Sequence, residues 1–206
     1  MSKREYPSLI IDKERFKIDE LGEEDAYEFL KWYVDHMDER IAILKDFIDS
    51  DPEMLDKINL DYSAESLIPL NKWLAQQIIK ESKGFQWMKE RFNKKDWLVH
   101  QLIPDKKVFT NEIIKITVDV AYYWAKIFLL KYPELYWDIV TLKQIPNYMF
   151  PNAPGLLGFK NGKFFKPCLM THVVIIKTKN DPNTYMYDTY KYWEENYINN
   201  NKESIK

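Results

Sequence analysis

The chain of 206 residues holds a single cysteine, Cys168. No disulfide can form within it, which fits a reducing compartment, and a multi-cysteine zinc site is excluded. Glycine is scarce too, at five residues. So few glycines leave little material for loops that cradle phosphates, which argues against a nucleotide-binding fold. No Gly-x-Gly-x-x-Gly, phosphate loop, Gly-x-Ser-x-Gly, His-Glu-x-x-His or EF-hand loop occurs. The charged start, Met1 to Pro7, has no apolar run behind it, so no signal peptide is expected. The most apolar long stretch, Ile113 to Leu130, carries Lys115, Asp119 and Lys126. Three charges there would be costly in a bilayer, so it reads as a buried helix and not a membrane span.

What is present fits one globular domain. Hydrophobic residues make up 46%, charged residues 30% and aromatic residues 16%, a profile that excludes disorder. A domain of this length buries roughly 70% of the surface its unfolded chain exposes, so it folds without a metal or disulfide. The net charge of −2 conceals an asymmetry. Residues 19–65 hold sixteen acids and four bases, a net of −12. Residues 1–18 carry +2 and residues 66–206 carry +8. Such separation implies a polarised surface. A pI near 6.0 disfavours a nucleic-acid partner.

The pattern of apolar residues predicts the order of elements. Residues 1–20 read as an extended arm with a short strand around Leu9–Ile11. A first helix is expected from about Glu23 to Ser50, with its apolar stripe at Ala26, Leu30, Tyr33, Met37, Ile41, Leu44 and Ile48. Glu23, Glu24 and Asp25 suit its first turn, and Asp51-Pro52 ends it. Ser63 reads as an N-cap, and Pro69 as a kink or helix restart, in a helix running to about Ser82. Over residues 84–107, Phe85, Trp87, Met88, Phe92 and Trp97 fall at loose helical spacing, ending in the breaker Pro104-Asp105. Thr110 is the next N-cap, and Asn111 to Lys131 is apolar on most sides, so it is expected to be the central helix. Leu135, Trp137 and Ile139 then alternate with Tyr136, Asp138 and Val140, as in a strand. A Pro/Asn-rich loop follows, and Asn161-Gly162 marks a hairpin because both turn positions need φ > 0. Residues 169–179 read equally as a strand, from their β-branched run, or as a helix with Pro167 at its first position. A last helix begins near Asp181-Pro182, and the tail from Asn199 is expected to fray. The expected fold is therefore α+β: one helix-rich domain over 1–206 with a small antiparallel sheet. Its parts are an arm (1–20), a mainly helical region (21–132), a small sheet (133–180), a C-terminal helix (181–198) and a tail (199–206).

Candidate chemistry is sparse. His36, beside Glu39 and Arg40, is a possible general base or half of a metal site, but no second histidine lies at i+3 or i+4. His100 and His172 have no local partners. Cys168 reads as inert packing rather than a nucleophile. The carboxylate groups Glu23/Glu24/Asp25, Asp35/Asp38/Glu39 and Asp49/Asp51/Glu53 read as solvated helix surface rather than a hydrolytic pair. Tyr185, Tyr187, Tyr190, Tyr192, Trp193 and Tyr197 read as packing of the last helix rather than a base-stacking platform, since Glu194 and Glu195 follow directly.

The segment from Leu60 to Leu70 (LDYSAESLIPL), followed by Trp73, resembles a DYSPESLIPLW-like motif of an uncharacterised protein family from low-GC Gram-positive bacteria. Trp137, Gly158-Phe159 and the closing Tyr187-Asp188-Thr189-Tyr190-Lys191-Tyr192-Trp193 follow the same plan, over residues 23–198. The helix–strand–hairpin order is also loosely similar to polymorphic-toxin immunity proteins. Those often carry Gly-Glu late in the central helix, where this chain has Ala125-Lys126. The resemblance implies no catalytic residues.

From these readings the expectation is a non-enzymatic binding protein of the bacterial cytoplasm. It would meet a basic protein partner through an acidic helix face formed by Glu28, Asp35, Asp38, Glu39, Asp46 and Asp49. No cofactor, metal, nucleic acid or membrane is expected. The alternative is an enzyme of unrecognised type using carboxylates or His36 in a cleft. A homo-oligomer built on the Tyr and Trp excess is a third reading.

Overall fold

The computed structural model describes residues 5–7, 22–51, 58–83, 111–141, 152–178 and 184–199. The strand expected at Leu9–Ile11, the Thr110 cap, the stretch 84–107 and the tail beyond Asn199 lie outside them.

Where one helix is expected over Glu23–Ser50, the structure has two. Helix α1 spans Glu23–Asp35 and α2 spans Met37–Asp49. His36 causes the break. In a continuous helix its N–H would bond the Trp32 carbonyl. Instead its ring Nδ1–H donates to that carbonyl at 2.7 Å, and its backbone N–H turns to Val34. The apolar stripe runs on across the break, with Tyr33, Met37, Ile41, Leu44 and Ile48 all buried. Helix α2 ends at Asp49, with the Ser50 N–H bonded to the Asp46 carbonyl.

Helix α3, Leu67–Lys83, is prepared by a tight turn. The Asp61 carboxylate accepts the Ser63 N–H at 2.9 Å, and the Ser63 hydroxyl accepts the Ser66 N–H at 3.2 Å. Hydrogen bonding from the Ser63 hydroxyl, and then from its N–H, holds the Asp61 carboxyl below its ordinary pKa. Tyr62 sits in the left-handed region with φ of 65°. Pro69 falls in the first turn of α3, where its missing N–H is no loss.

Helix α4 occupies Asn111–Lys131, the bounds its composition predicts. Every residue from Thr117 to Ala125 is buried, and α4 packs against α2, α3 and the helix Pro167–Thr178 that follows the sheet. Strands β1 (Tyr136–Val140) and β2 (Ala153–Leu157) pair antiparallel, with Asp138 opposite Gly155. Val140 Cγ2 would lie 2.7 Å from a Cβ at Gly155, so a side chain there has no room.

The chain reverses at Asn161-Gly162, both with positive φ, in a single 3₁₀ turn over Lys160–Gly162. Its return is held by one bridge, Leu156 to Phe165, with bonds of 2.7 and 2.9 Å. The sheet is thus smaller than a 133–180 sheet region implies. Residues Pro167–Thr178 form helix α5, with Pro167 in the first position. Helix α6 is Tyr185–Tyr197. It closes the core through Met186 and Tyr190, while Trp193 lies 5.0 Å from Phe159 and 5.1 Å from Phe165, edge to face. No helix among the described residues is long and apolar enough to cross a membrane.

Candidate functional site

All six acids expected to form a contact face are exposed. Glu28 and Asp35 are seven apart on α1, as are Glu39 and Asp46 on α2, so each pair shares one side of its helix. Asp38 and Asp49 are three helical turns apart on α2. Helices α1 and α2 carry nine acids between them, five and four. Their bases do not offset this outward charge evenly. Arg40 points inward and is 3% exposed, while Lys45 is half-buried with its ammonium 4.1 Å from the centre of the Tyr62 ring. Lys31 pairs with Asp35 at 3.1 Å, and Lys126 on α4 reaches Asp38 at 2.8 Å. Exposed pairs of this kind contribute ~0–1 kcal/mol each, so they leave the face acidic without fixing its shape.

Two shallow grooves flank α2. One, of about 450 Å³, is bounded by Lys45, Ile48, Asp49, Ile58, Asn59 and Leu60. The other, of about 360 Å³, is bounded by Pro7, Glu39, Ala42, Ile43, Asp46 and Phe47.

Beneath that face lies a buried polar cluster that the sequence reading does not anticipate. Arg40 grips Asp119 with two bonds, Nε to Oδ1 at 2.9 Å and an η-nitrogen to Oδ2 at 2.6 Å. The Tyr6 hydroxyl donates to Asp119 Oδ2 at 2.6 Å, and Arg40 also donates to the Pro7 carbonyl at 2.8 Å. Burial pushes the Asp119 carboxyl up to about 6, while Arg40 and the Tyr6 hydroxyl pull it back. Burial also raises the Tyr6 phenol well above its ordinary value. The cluster ties residues 5–7 to α2 and α4. One signal was available in the sequence: Arg40 stands three residues from Met37 and four from Leu44, on the flank of the apolar stripe, and Asp119 lies in the most apolar helix.

A second cluster gathers around Glu194, whose side chain is 4% exposed. Lys131, at 2.5 Å, and the Tyr132 hydroxyl donate to Oε1, with Tyr190 at 3.3 Å; Lys191 donates to Oε2. Burial pushes this carboxyl up, but the donors win and hold it down at about 2. Its effect is to pin α6 to the end of α4.

Of the other candidates, His36 and Cys168 find packing roles, while His100 and the His172 side chain lie outside what the structure describes. His36 holds the α1–α2 break, its ring 4.5 Å from that of Trp32. Cys168 is buried on α5, 3.2 Å from the Tyr33 hydroxyl, and burial pushes its thiol up to about 11. At that value the nucleophilic thiolate is negligible at neutral pH. Tyr192 is exposed, and its hydroxyl lies 3.4 Å from that of Tyr197. Lys166, just before α5, is pushed down to about 8 by burial. Asp119, Lys166, Cys168 and Glu194, each with a shifted pKa, bound neither groove. Among the described residues, no three His, Cys, Asp or Glu side chains converge as metal ligands would. No protein-family model, curated protein or solved structure matches the chain.

Proposed function

We propose that the chain is a non-enzymatic binding protein of the bacterial cytoplasm, of the immunity or inhibitor kind. It meets a basic protein partner through the acidic side of α1 and α2. One observation carries this reading. Nine acids lie on these two helices, while Arg40 is turned inward to neutralise Asp119. A negative surface of this kind steers a cationic partner and raises its association rate, with strong salt dependence. The resemblance to immunity proteins agrees with such a role. The enzymatic reading has less support, because the perturbed carboxylates and the thiol are sealed by their own partners and face neither groove.

The test compares the tagged protein with a variant carrying E28Q, D35N, D38N, E39Q, D46N and D49N, in capture from native lysate at low and high salt. A basic protein held by the first at low salt, lost at high salt and lost with the variant is expected. Retention of the same partner by the variant would sink the proposal.

A further inference from the structure

Asn161 is the only asparagine of the chain that precedes a glycine. The pair forms the tip of the reversal between Leu156 and Phe165, with φ of 59° at Asn161 and 63° at Gly162. Glycine fits there because it has no Cβ to oppose a positive φ. The same lack leaves its amide uncovered. Lys160, Asn161, Gly162 and Lys163 are all exposed, and a Cβ built on Gly162 would meet nothing within 4 Å. A carboxamide beside so open an amide can close a five-membered ring with it. The turn is what holds the two apart. With ψ of 27° at Asn161, the Gly162 nitrogen lies on the far side of the Cα–C bond from the Asn161 Cβ. Rotation about that bond brings the nitrogen to Cγ. The rotation takes the Lys163 N–H off the Lys160 carbonyl, a surface bond of 3.2 Å.

We propose that Asn161 is a self-modification site, at which the chain deamidates when this turn opens. The Gly162 amide nitrogen gives its proton to solvent base and attacks Asn161 Cγ, forming the N–Cγ bond. The Cγ–Nδ2 bond breaks, and Nδ2 takes a proton from water and leaves as ammonia. One water molecule then opens the succinimide. Attack at Cγ gives aspartate; attack at the main-chain carbonyl carbon gives isoaspartate. No oxidant or reductant enters. Either product adds a carboxylate between Lys160 and Lys163. The isoaspartate also adds a methylene to the main chain. That extra length falls inside a reversal closed by the Leu156–Phe165 bridge, with its bonds of 2.7 and 2.9 Å. Phe165 is fully buried, its ring 5.2 Å from those of Trp124 and Phe128. A lengthened tip therefore disturbs the core through Phe165, whereas aspartate at the same position does not.

The test follows the full chain in mildly alkaline buffer over days, beside a synthetic peptide covering Gly158–Phe165. Chymotrypsin releases Lys160–Phe164, whose mass reports replacement of the carboxamide NH2 by OH. Labelling with an isoaspartyl methyltransferase reports the isoaspartate. The folded chain is expected to convert at Asn161 about 10-fold more slowly than the peptide, the scale of one hydrogen bond that must break first. In urea it should approach the peptide's rate. Gly162→Ala in the peptide should slow the reaction, because the new Cβ crowds the attacking nitrogen. Chain aged to isoaspartate should unfold at lower urea than fresh chain, while Asn161→Asp, with the charge but no methylene, should not. A folded chain that keeps Asn161 while the peptide is consumed overturns the proposal. Conversion at the peptide's rate overturns the gating by the turn, and an aged chain as stable as Asn161→Asp overturns the link to Phe165.

Discussion

Tyr6 and Asp119 are 113 positions apart in the chain, yet the phenol donates to the carboxylate at 2.6 Å in the buried interior. This contact makes Tyr6 of the N-terminal arm part of the core. Tyr6→Phe keeps the ring against Phe47 and removes only the donor. It is expected to cost about 1.5–3 kcal/mol, the range for a hydrogen bond to a charged group. A lower urea midpoint with an unchanged slope would report it. Arg40→Met leaves the Asp119 charge buried without its cation and should cost more, roughly 3–5 kcal/mol. An Arg40→Met protein as stable as the parent would mean that the pair does not form.

The Glu194 carboxyl has its folded pKa depressed to about 2. A depressed acid stabilises the fold above its unfolded value, near 4.5, and loses that contribution as pH falls toward 2. The contribution is on the order of 2 kcal/mol, held down because Lys131 and Lys191 are partly exposed to screening solvent. Glu194→Gln should therefore be less stable than the parent at pH 6, with the gap closing as pH is lowered to 2. Thermal unfolding across that range measures it, and a gap independent of pH would contradict the assignment.

Cys168 offers a probe of opening. Its thiol is buried and raised to about 11, so Ellman's reagent should label it at the rate at which the native structure opens, not at the rate of a free thiol. Labelling in mild urea should accelerate in step with unfolding. Immediate labelling of the native protein would place the thiol at the surface instead.

Gly155, opposite Asp138, has Val140 as its diagonal neighbour across the two-stranded sheet. A Cβ at Gly155 would meet Val140 Cγ2 at 2.7 Å and the Phe165 carbonyl oxygen at 3.3 Å. Gly155→Ala is expected to cost about 1–3 kcal/mol, as overpacking does. Val140→Ala in the same chain should recover part of that loss, a coupling that a double-mutant cycle in urea detects. Additive losses would show that the two positions do not collide.

The strongly periodic elements were readable from the residues. Helix α4 matched its expected bounds because its apolar residues cover most of its circumference, and the order of helices, sheet and closing helix followed from the patterning. The break at His36 was not readable, since Tyr33, Met37 and Ile41 keep the spacing of one helix through it. The deciding event is a single imidazole taking the Trp32 carbonyl. Residues 169–179 stayed open because β-branched residues favour strands intrinsically, while Pro167 and burial favour the helix that forms. The acids of the proposed contact face were legible one by one, because charged residues opposite an apolar stripe face solvent. The groove beside them was not, because Pro7 reaches it only through the Tyr6–Asp119 and Arg40 contacts, which no local spacing encodes.

Three polar anchors sit on α4 or directly beyond its end, one after another. Asp119 receives Tyr6 and Arg40; the Tyr123 hydroxyl accepts the Tyr62 N–H at 3.0 Å and lies 2.6 Å from the Ser66 hydroxyl; Lys131 and Tyr132 hold Glu194. The arm, α2, the turn into α3 and α6 are thus each fastened to one rod. A helix so placed cannot come loose by itself without stripping its neighbours of buried hydrogen bonds. Its central amides should be the slowest to exchange with deuterium, opening only when the whole domain does, while α1 exchanges earlier through local fraying. The described core should then lose its packing in one step, which makes the integrity of the acidic face hostage to a helix that meets it at the surface through the Lys126–Asp38 pair.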